Sequence, residues 1–146
     1  MKKIRVAGII PLEEGFGFMH RSGVQKKDSV RDYYTFPGGG LEEGETPEEG
    51  TIREIEEEFG IKVKIIKKQY EMYSEKFNQD EIFYLCEYVS GKFGTGTGPE
   101  FTYNPLYADS GKFQPEIIKR DEIESINLLP YEIKDKFIED LKLGNI

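Results

Sequence analysis

Residues 36–61, FPGGGLEEGETPEEGTIREIEEEFGI, fix a helix at both ends and so limit what the rest of the chain can build around it. Thr46 followed by Pro47, Glu48 and Glu49 is a capping box: Thr46 caps the N-terminus, Pro47 suits the first helical position, and Glu49 reaches back to the cap. The helix is expected to start at Pro47, and Gly60 supplies the left-handed residue that stops it. At about 100° per residue, Ile52, Ile55 and Phe59 form a buried stripe, while Glu54, Glu57 and Glu58 gather on an adjacent face.

That stretch holds nine carboxylates and a single base, Arg53, whereas the remaining nineteen acids are matched by nineteen bases. The net charge of −8 is therefore a local feature. Glu48 and Glu49 sit where a helix start favours anions, and they need no special explanation. Glu54, Glu57 and Glu58 do. Like charges three and four apart repel by about 0.2–0.5 kcal/mol per pair, and anions in the last turn oppose the helix dipole by about 0.3–1 kcal/mol each. Hard divalent cations such as Mg²⁺ are held by oxygen ligands of this kind, usually together with substrate phosphates, so the acidity points to a cation site whose metal neutralises the charge. It argues against binding a nucleic-acid polymer, which needs clustered Lys and Arg.

The whole chain has 146 residues, 37% of them hydrophobic and 13% aromatic, a size and composition that suit one globular domain over residues 1–146. No apolar run approaches the roughly 18 residues of a membrane span, and the basic, apolar N-terminus lacks a small-residue cleavage site, so a cytoplasmic location is expected. IRVAGIIPL reads as a buried strand and GFGFMHRS as a second, the two forming an antiparallel hairpin. Residues 23–32 read as a polar loop, YYTF as a short strand, and PGGG as a break. Two further strands follow, KVKIIKKQYEMYSE and the alternating DEIFYLCEYVSG, then a long Gly/Pro/Tyr-rich loop, the strand PEIIK and an acidic turn RDEIES. A last helix opens at Pro130, with Ile133, Phe137, Ile138 and Leu141 as its core face. The sum is an α/β fold with a mixed β-sheet. Cys86, the single cysteine, lies in an alternating strand, where it reads as a buried small hydrophobe.

The acidic stretch also resembles the signature of the Nudix hydrolase family, of MutT-like type: Gly, five residues, Glu, seven residues, then Arg-Glu-aliphatic-any-Glu-Glu-any-Gly-aliphatic. Gly39, Glu45, Arg53, Glu54, Ile55, Glu57, Glu58, Gly60 and Ile61 fill it. Gly50 stands where related boxes often have Ala, and a mid-helix Gly costs about 1 kcal/mol relative to Ala. The resemblance implies an α/β/α sandwich and Mg²⁺-dependent, or Mn²⁺-dependent, hydrolysis of the diphosphate linkage in a nucleoside diphosphate joined to a group X. It implies Glu54 and Glu58 as metal ligands, with Glu57 in the cluster and the Gly38 carbonyl completing the shell. Arg53 is turned by helical geometry away from the substrate face, with a structural role orienting Glu45. The general base is Glu57 or, from the long loop, Glu100, which is also a candidate metal ligand.

Arg21 stands where relatives place a basic residue near the phosphates, and its alternative is a surface arginine. Phe36, with Tyr33, Tyr34, Tyr103 and Tyr107, is a candidate for stacking on a base, against the usual role of strand aromatics as core. His20 reads as packed or solvent-facing. The expected partner is a small nucleotide rather than a membrane or nucleic acid, and the expected state a monomer or homodimer. Three rivals remain: a nucleotide-binding regulatory module with no hydrolysis, an isomerase of the isopentenyl diphosphate type, for which Cys86 is poorly placed, and a structural metal-binding domain.

Overall fold

The computed structural model describes the backbone of residues 3–26, 29–96 and 112–146. Among these residues nine strands occupy Lys3–Ile9 (β1), Pro11–Leu12 (β2), Gly15–Lys26 (β3), Ser29–Thr35 (β4), Gly38–Gly40 (β5), Ile61–Ser74 (β6), Gln79–Gly91 (β7), Lys112–Ile118 (β8) and Leu128–Leu129 (β9). Helices run over Pro47–Phe59 (α1) and Tyr131–Leu143 (α2), with a 3-10 helix at Arg120–Ser125. One sheet has the order β5-β1-β7-β6 and is mixed, since β1 and β7 are parallel and its other pairs antiparallel. The second has the order β2-β3-β4-β9, with β8 also pairing β3.

Each face of the β5-β1-β7-β6 sheet is covered by a helix. On β1, Ala7 and Ile9 join the core that contains Phe18, Phe36, Phe83 and, from α2, Ile133 and Phe137. Val6 and Ile10 turn the other way, into the core with Ile55 and Phe59 of α1 and with Ile82, Tyr84 and Cys86. A strand buried on both faces needs a continuous apolar run rather than alternation, which is what VAGII supplies. The result is an α/β/α sandwich. Ile138 and Leu141 pack at the edge of the α2 core, as their spacing predicts.

Three local expectations are corrected. The hairpin at the start of the chain is confined to β2 and β3, while β1 departs to the other sheet between β5 and β7. Residues 23–32 are largely strand: β3 and β4 run on to Lys26 and from Ser29, with a register slip between Arg21 and Val24 where Gly23 has φ 69°. Such a bulge breaks the two-residue period that marks a strand. The PGGG break is itself β5, antiparallel to β1, and it brings Gly38 so close to β1 that a Cβ there would collide with the Val6 carbonyl.

Candidate active site

Helix α1 begins and ends as its sequence dictates. Thr46 Oγ1 accepts from the Glu49 N–H at 3.1 Å, Glu49 Oε1 accepts from the Thr46 N–H at 3.1 Å, and Gly60 closes the helix at φ 75°. Ile55 and Phe59 are fully buried and Ile52 packs at the margin, so the stripe anchors α1 against β1 and β6. Tyr84 on β7 donates its hydroxyl to Glu48 at 2.9 Å, tying the first turn to the sheet.

The anchored helix presents its carboxylates to β5. Glu58 is only 6% exposed and accepts from the Gly38 N–H at 3.2 Å. A Cβ on Gly39 would stand 2.5 Å from Glu54 Oε1, so the glycine leaves the cradle in which that carboxylate lies. Gly50 has a similar explanation: its missing Cβ makes room for Leu41 and for Glu45, whose Oε1 would be 2.9 Å from it.

Arg53 does not turn away from this face. Its Nε and Nη2 clamp Glu45 at 2.7 and 2.9 Å, as expected, while Nη1 donates to Glu54 at 3.0 Å and to Glu57 at 3.3 Å, and Nη2 to the Gly40 carbonyl at 3.1 Å. The guanidinium holds the Glu45 carboxyl at a pKa of about 2, helped by the Glu42 N–H, and Glu45 in turn raises that of Arg53. The repulsion expected among the acids is thus met in part by an internal cation. Among the described residues no three acid, imidazole or thiol groups close on one ion. The donors are nonetheless hard carboxylate oxygens over a side-chain-free strand, a set that fits a hard divalent cation once Nη1 yields Glu54 and Glu57. The sequence carried the signal for part of this, since Arg53 and Glu57 are four apart on one helix.

The chain after β7 docks on the same helix. Gly94 N–H donates to the Phe59 carbonyl at 2.9 Å, Phe93 packs on the Phe59 ring at 4.6 Å, and Gly96 lies so close that a Cβ would strike the carbonyls of Glu57 and Glu58. Glu100, Tyr103 and Tyr107 lie outside the described residues.

Phe36 is corrected from base-stacking candidate to core: it is 2% exposed and its ring meets those of Phe18, Phe83 and Phe137, leaving no face for a ligand. Arg21 lies on β3 with its guanidinium 4.0 Å over the Phe113 ring and donating to the Tyr33 hydroxyl at 3.1 Å. Tyr34 stacks on His20 at 4.2 Å. His20 bridges Asp32 and Glu116; burial opposes its charge, but the two carboxylates outweigh that and raise its pKa. Cys86 is buried and its thiol is pushed up to about 12 by desolvation, as suits a core residue and not a nucleophile.

Over residues 2–135 the chain matches the NUDIX domain model, and it belongs to that family: it is a Nudix hydrolase, an enzyme acting on phosphoric anhydride bonds. Among curated relatives it is 34% identical over 113 residues to an 8-oxo-dGTP diphosphatase of Haemophilus influenzae, covering 75% of this chain and 81% of that protein. A 62-residue match to the 8-oxo-dGTP diphosphatase of Escherichia coli is 42% identical and covers 42% of this chain and 46% of that one. Among solved structures, a NUDIX hydrolase from Nitrosomonas europaea superposes with a TM-score of 0.70 at 19% identity, covering 97% of this chain and 70% of the other. A MutT protein from Methanosarcina mazei gives 0.66 at 20%, covering 99% and 95%. At those identities the structures speak for the fold. Family members generally use divalent metals and act on small nucleotides.

Proposed function

We propose that this chain is a single-domain, Mg²⁺-dependent pyrophosphohydrolase that cleaves the diphosphate linkage of a nucleoside diphosphate joined to a group X, as in a nucleoside triphosphate or nucleotide sugar. The observation that carries the reading is the placement of Glu54 and Glu58 against the glycine-only strand β5, where the Gly39 cradle and the Gly38 N–H fix the two carboxylates. The curated relatives named as 8-oxo-dGTP diphosphatases support a nucleoside triphosphate as the first substrate to try.

Glu54, Glu58 and the Gly38 carbonyl would hold Mg²⁺, with Glu57 and Glu100 as further ligands; Mn²⁺ suits the same oxygens. When bound, the ion polarises the phosphoryl oxygens and lowers the pKa of the attacking water. Glu57, whose side chain is 35% exposed, is free to meet that water once Arg53 Nη1, 3.3 Å away, has yielded it. Glu57 takes the proton as the water oxygen attacks phosphorus, and the leaving oxygen departs with the electrons of the broken anhydride bond. Glu100 is the rival base. It stands four residues beyond Gly96, a chain reach of roughly 14 Å from a point beside Glu57 and Glu58. Arg21, steadied by Tyr33 and Phe113, is the candidate phosphate cation. The proposed setting is the cytoplasm, as a monomer or homodimer: the net charge of −8 disfavours nucleic-acid polymers, and among the described residues no helix is long and apolar enough to cross a membrane.

The test is a panel of nucleoside triphosphates, dinucleotides and nucleotide sugars incubated with Mg²⁺ and read by product mass. A nucleoside monophosphate together with a second phosphorylated product is expected from at least one. No cleavage of any would leave a binding module in its place.

A further inference from the structure

The last turn of α1 holds three consecutive acids, Glu56, Glu57 and Glu58, and no base. A helix end also leaves its final carbonyls without intrahelical partners, so negative charge and unmet acceptors gather in one place. The helix's own cap, Gly60, meets one of these carbonyls, donating to that of Glu56 at 2.9 Å. Residues 92–96 come down on the rest. The Phe59 carbonyl accepts twice, from the Gly94 N–H at 2.9 Å and from the Thr95 N–H at 3.3 Å. Thr95 Oγ1 donates back to the Lys92 carbonyl at 2.7 Å and closes these residues into a turn, for which Gly94, at φ 97°, supplies the left-handed residue. The turn is seated on the sheet too: Gly91, just before it, pairs with Ile61, and its carbonyl accepts from the Tyr88 hydroxyl at 2.6 Å.

Gly96 is where this turn reaches the acidic residues. A Cβ there would stand 2.4 Å from the carbonyl oxygens of both Glu57 and Glu58. These are helix backbone atoms, which cannot swing aside as the end of a long side chain can. Opening the contact to the 3.4 Å of ordinary packing needs a shift of about 1 Å. The two carbonyls belong to the residues whose carboxylates meet the Gly38 N–H at 3.2 Å, for Glu58, and Arg53 Nη1 at 3.3 Å, for Glu57. A shift of the turn under Gly96 therefore moves both acids relative to β5, which is hydrogen-bonded to β1.

We propose that residues 93–96 are a positioning element for the divalent cation: by covering the end of α1 they set the Glu57 and Glu58 carboxylates where the ion needs them. This rests on the reading of the α1 face as the metal centre. Gly96 is the positioning residue in this scheme, and Phe93, packed on the Phe59 ring, is its anchor. Neither touches ion or substrate. A plain helix cap would hold α1 equally well with the ion bound or absent. A positioning element is linked to the ion: if the docked turn favours binding, binding favours the docked turn by the same factor.

Calorimetric titration of Mg²⁺ into the full-length parent, Gly96→Ala and Phe93→Leu tests this, run beside thermal melts and amide hydrogen exchange of the parent. Gly96→Ala is expected to weaken Mg²⁺ binding by about 10–100-fold, the scale of losing a group that orients metal ligands, while keeping a cooperative melt. Phe93→Leu should weaken it less. In the parent, the Gly94 and Thr95 amides should exchange more slowly in Mg²⁺ than in chelator, by a larger factor than the Gly144 amide at the end of α2, which controls for a general gain in stability. The exchange measurement needs no variant, so a Gly96→Ala chain that failed to fold would still leave the proposal open to refutation. Parental Mg²⁺ affinity in folded Gly96→Ala, or exchange at Gly94 and Thr95 indifferent to Mg²⁺, would overturn the proposal and leave the hydrolytic reading intact. Mg²⁺ binding that depends on Gly96 in a protein that cleaves no nucleotide would do the reverse. A parent that binds no Mg²⁺ would end both.

Discussion

Replacing Arg53 with Gln removes the cation to which three carboxylates are bonded. Glu45 and Glu54 have side chains only 13% exposed, Glu57 is 35% exposed and Arg53 itself 22%, so water can replace little of what is lost at the first two. A hydrogen bond to a charged group contributes about 1.5–3 kcal/mol, and breaking a fully buried pair costs about 3–5 kcal/mol. Partial solvation places this site lower, at about 2–4 kcal/mol. For a chain of this size that is a fall of about 4–16 °C in melting temperature. The assay is a thermal melt in chelator-treated buffer and again with millimolar Mg²⁺. Mg²⁺ should raise the Arg53→Gln variant more than the parent, since no guanidinium then competes for Glu54 and Glu57. Arg53→Lys should recover only part of the loss, because an ammonium cannot fork across Glu45 while also reaching Glu54. A melt of Arg53→Gln within about 2 °C of the parent in the absence of metal would refute the reasoning.

Glu57→Gln should lower kcat far more than it raises KM, as expected of a group that acts on the water and not on bound substrate; if Glu100→Gln abolishes turnover and Glu57→Gln costs little, the base is in the loop. Gly39→Ala should weaken Mg²⁺ binding, measured calorimetrically, because the new Cβ would stand 2.5 Å from Glu54 Oε1; unchanged affinity would count against the cradle. Melting followed against pH should show two limbs. Glu45, ordinarily near 4.5 and held at about 2, contributes stability that is complete above 4.5 and lost as pH falls toward 2, and Glu45→Gln should flatten that limb. His20, raised, contributes stability that is complete below its ordinary 6.5 and lost as pH rises through its folded value, and His20→Gln should flatten the upper limb.

Helix α1 was legible in the sequence because its determinants are local: cap, proline, stripe and terminal glycine lie within a few residues of one another. Strand partners were not. VAGII announces burial on both faces, but nothing in it says that its neighbours are β5 and β7 rather than the segment that follows it in sequence. The extended β3 and β4 were hidden by the bulge at Gly23, where polar residues and a left-handed glycine imitate a loop. Of the site, the acids were readable as a group, whereas the hold of Arg53 on Glu54 and Glu57 depends on side-chain directions that helical spacing alone leaves open. The burial of Phe36 follows from rings on β3, β7 and α2, all remote in sequence. Gly50 depends on partners remote from its own turn: Leu41 and the Glu45 carboxylate, drawn back by Arg53, fill the space of its missing Cβ.

Turnover of a responsive nucleotide should be followed against Mg²⁺ concentration in the parent, Glu54→Gln and Glu58→Gln, each checked by a melt to be folded. The parent is expected to be inactive in chelator and to saturate with Mg²⁺, and each variant to lose most of its activity at any Mg²⁺ concentration while keeping a cooperative melt. Near-parental turnover in either folded variant, or turnover by the parent in chelator, would contradict the assignment of the acidic face of α1 as the metal and reaction centre.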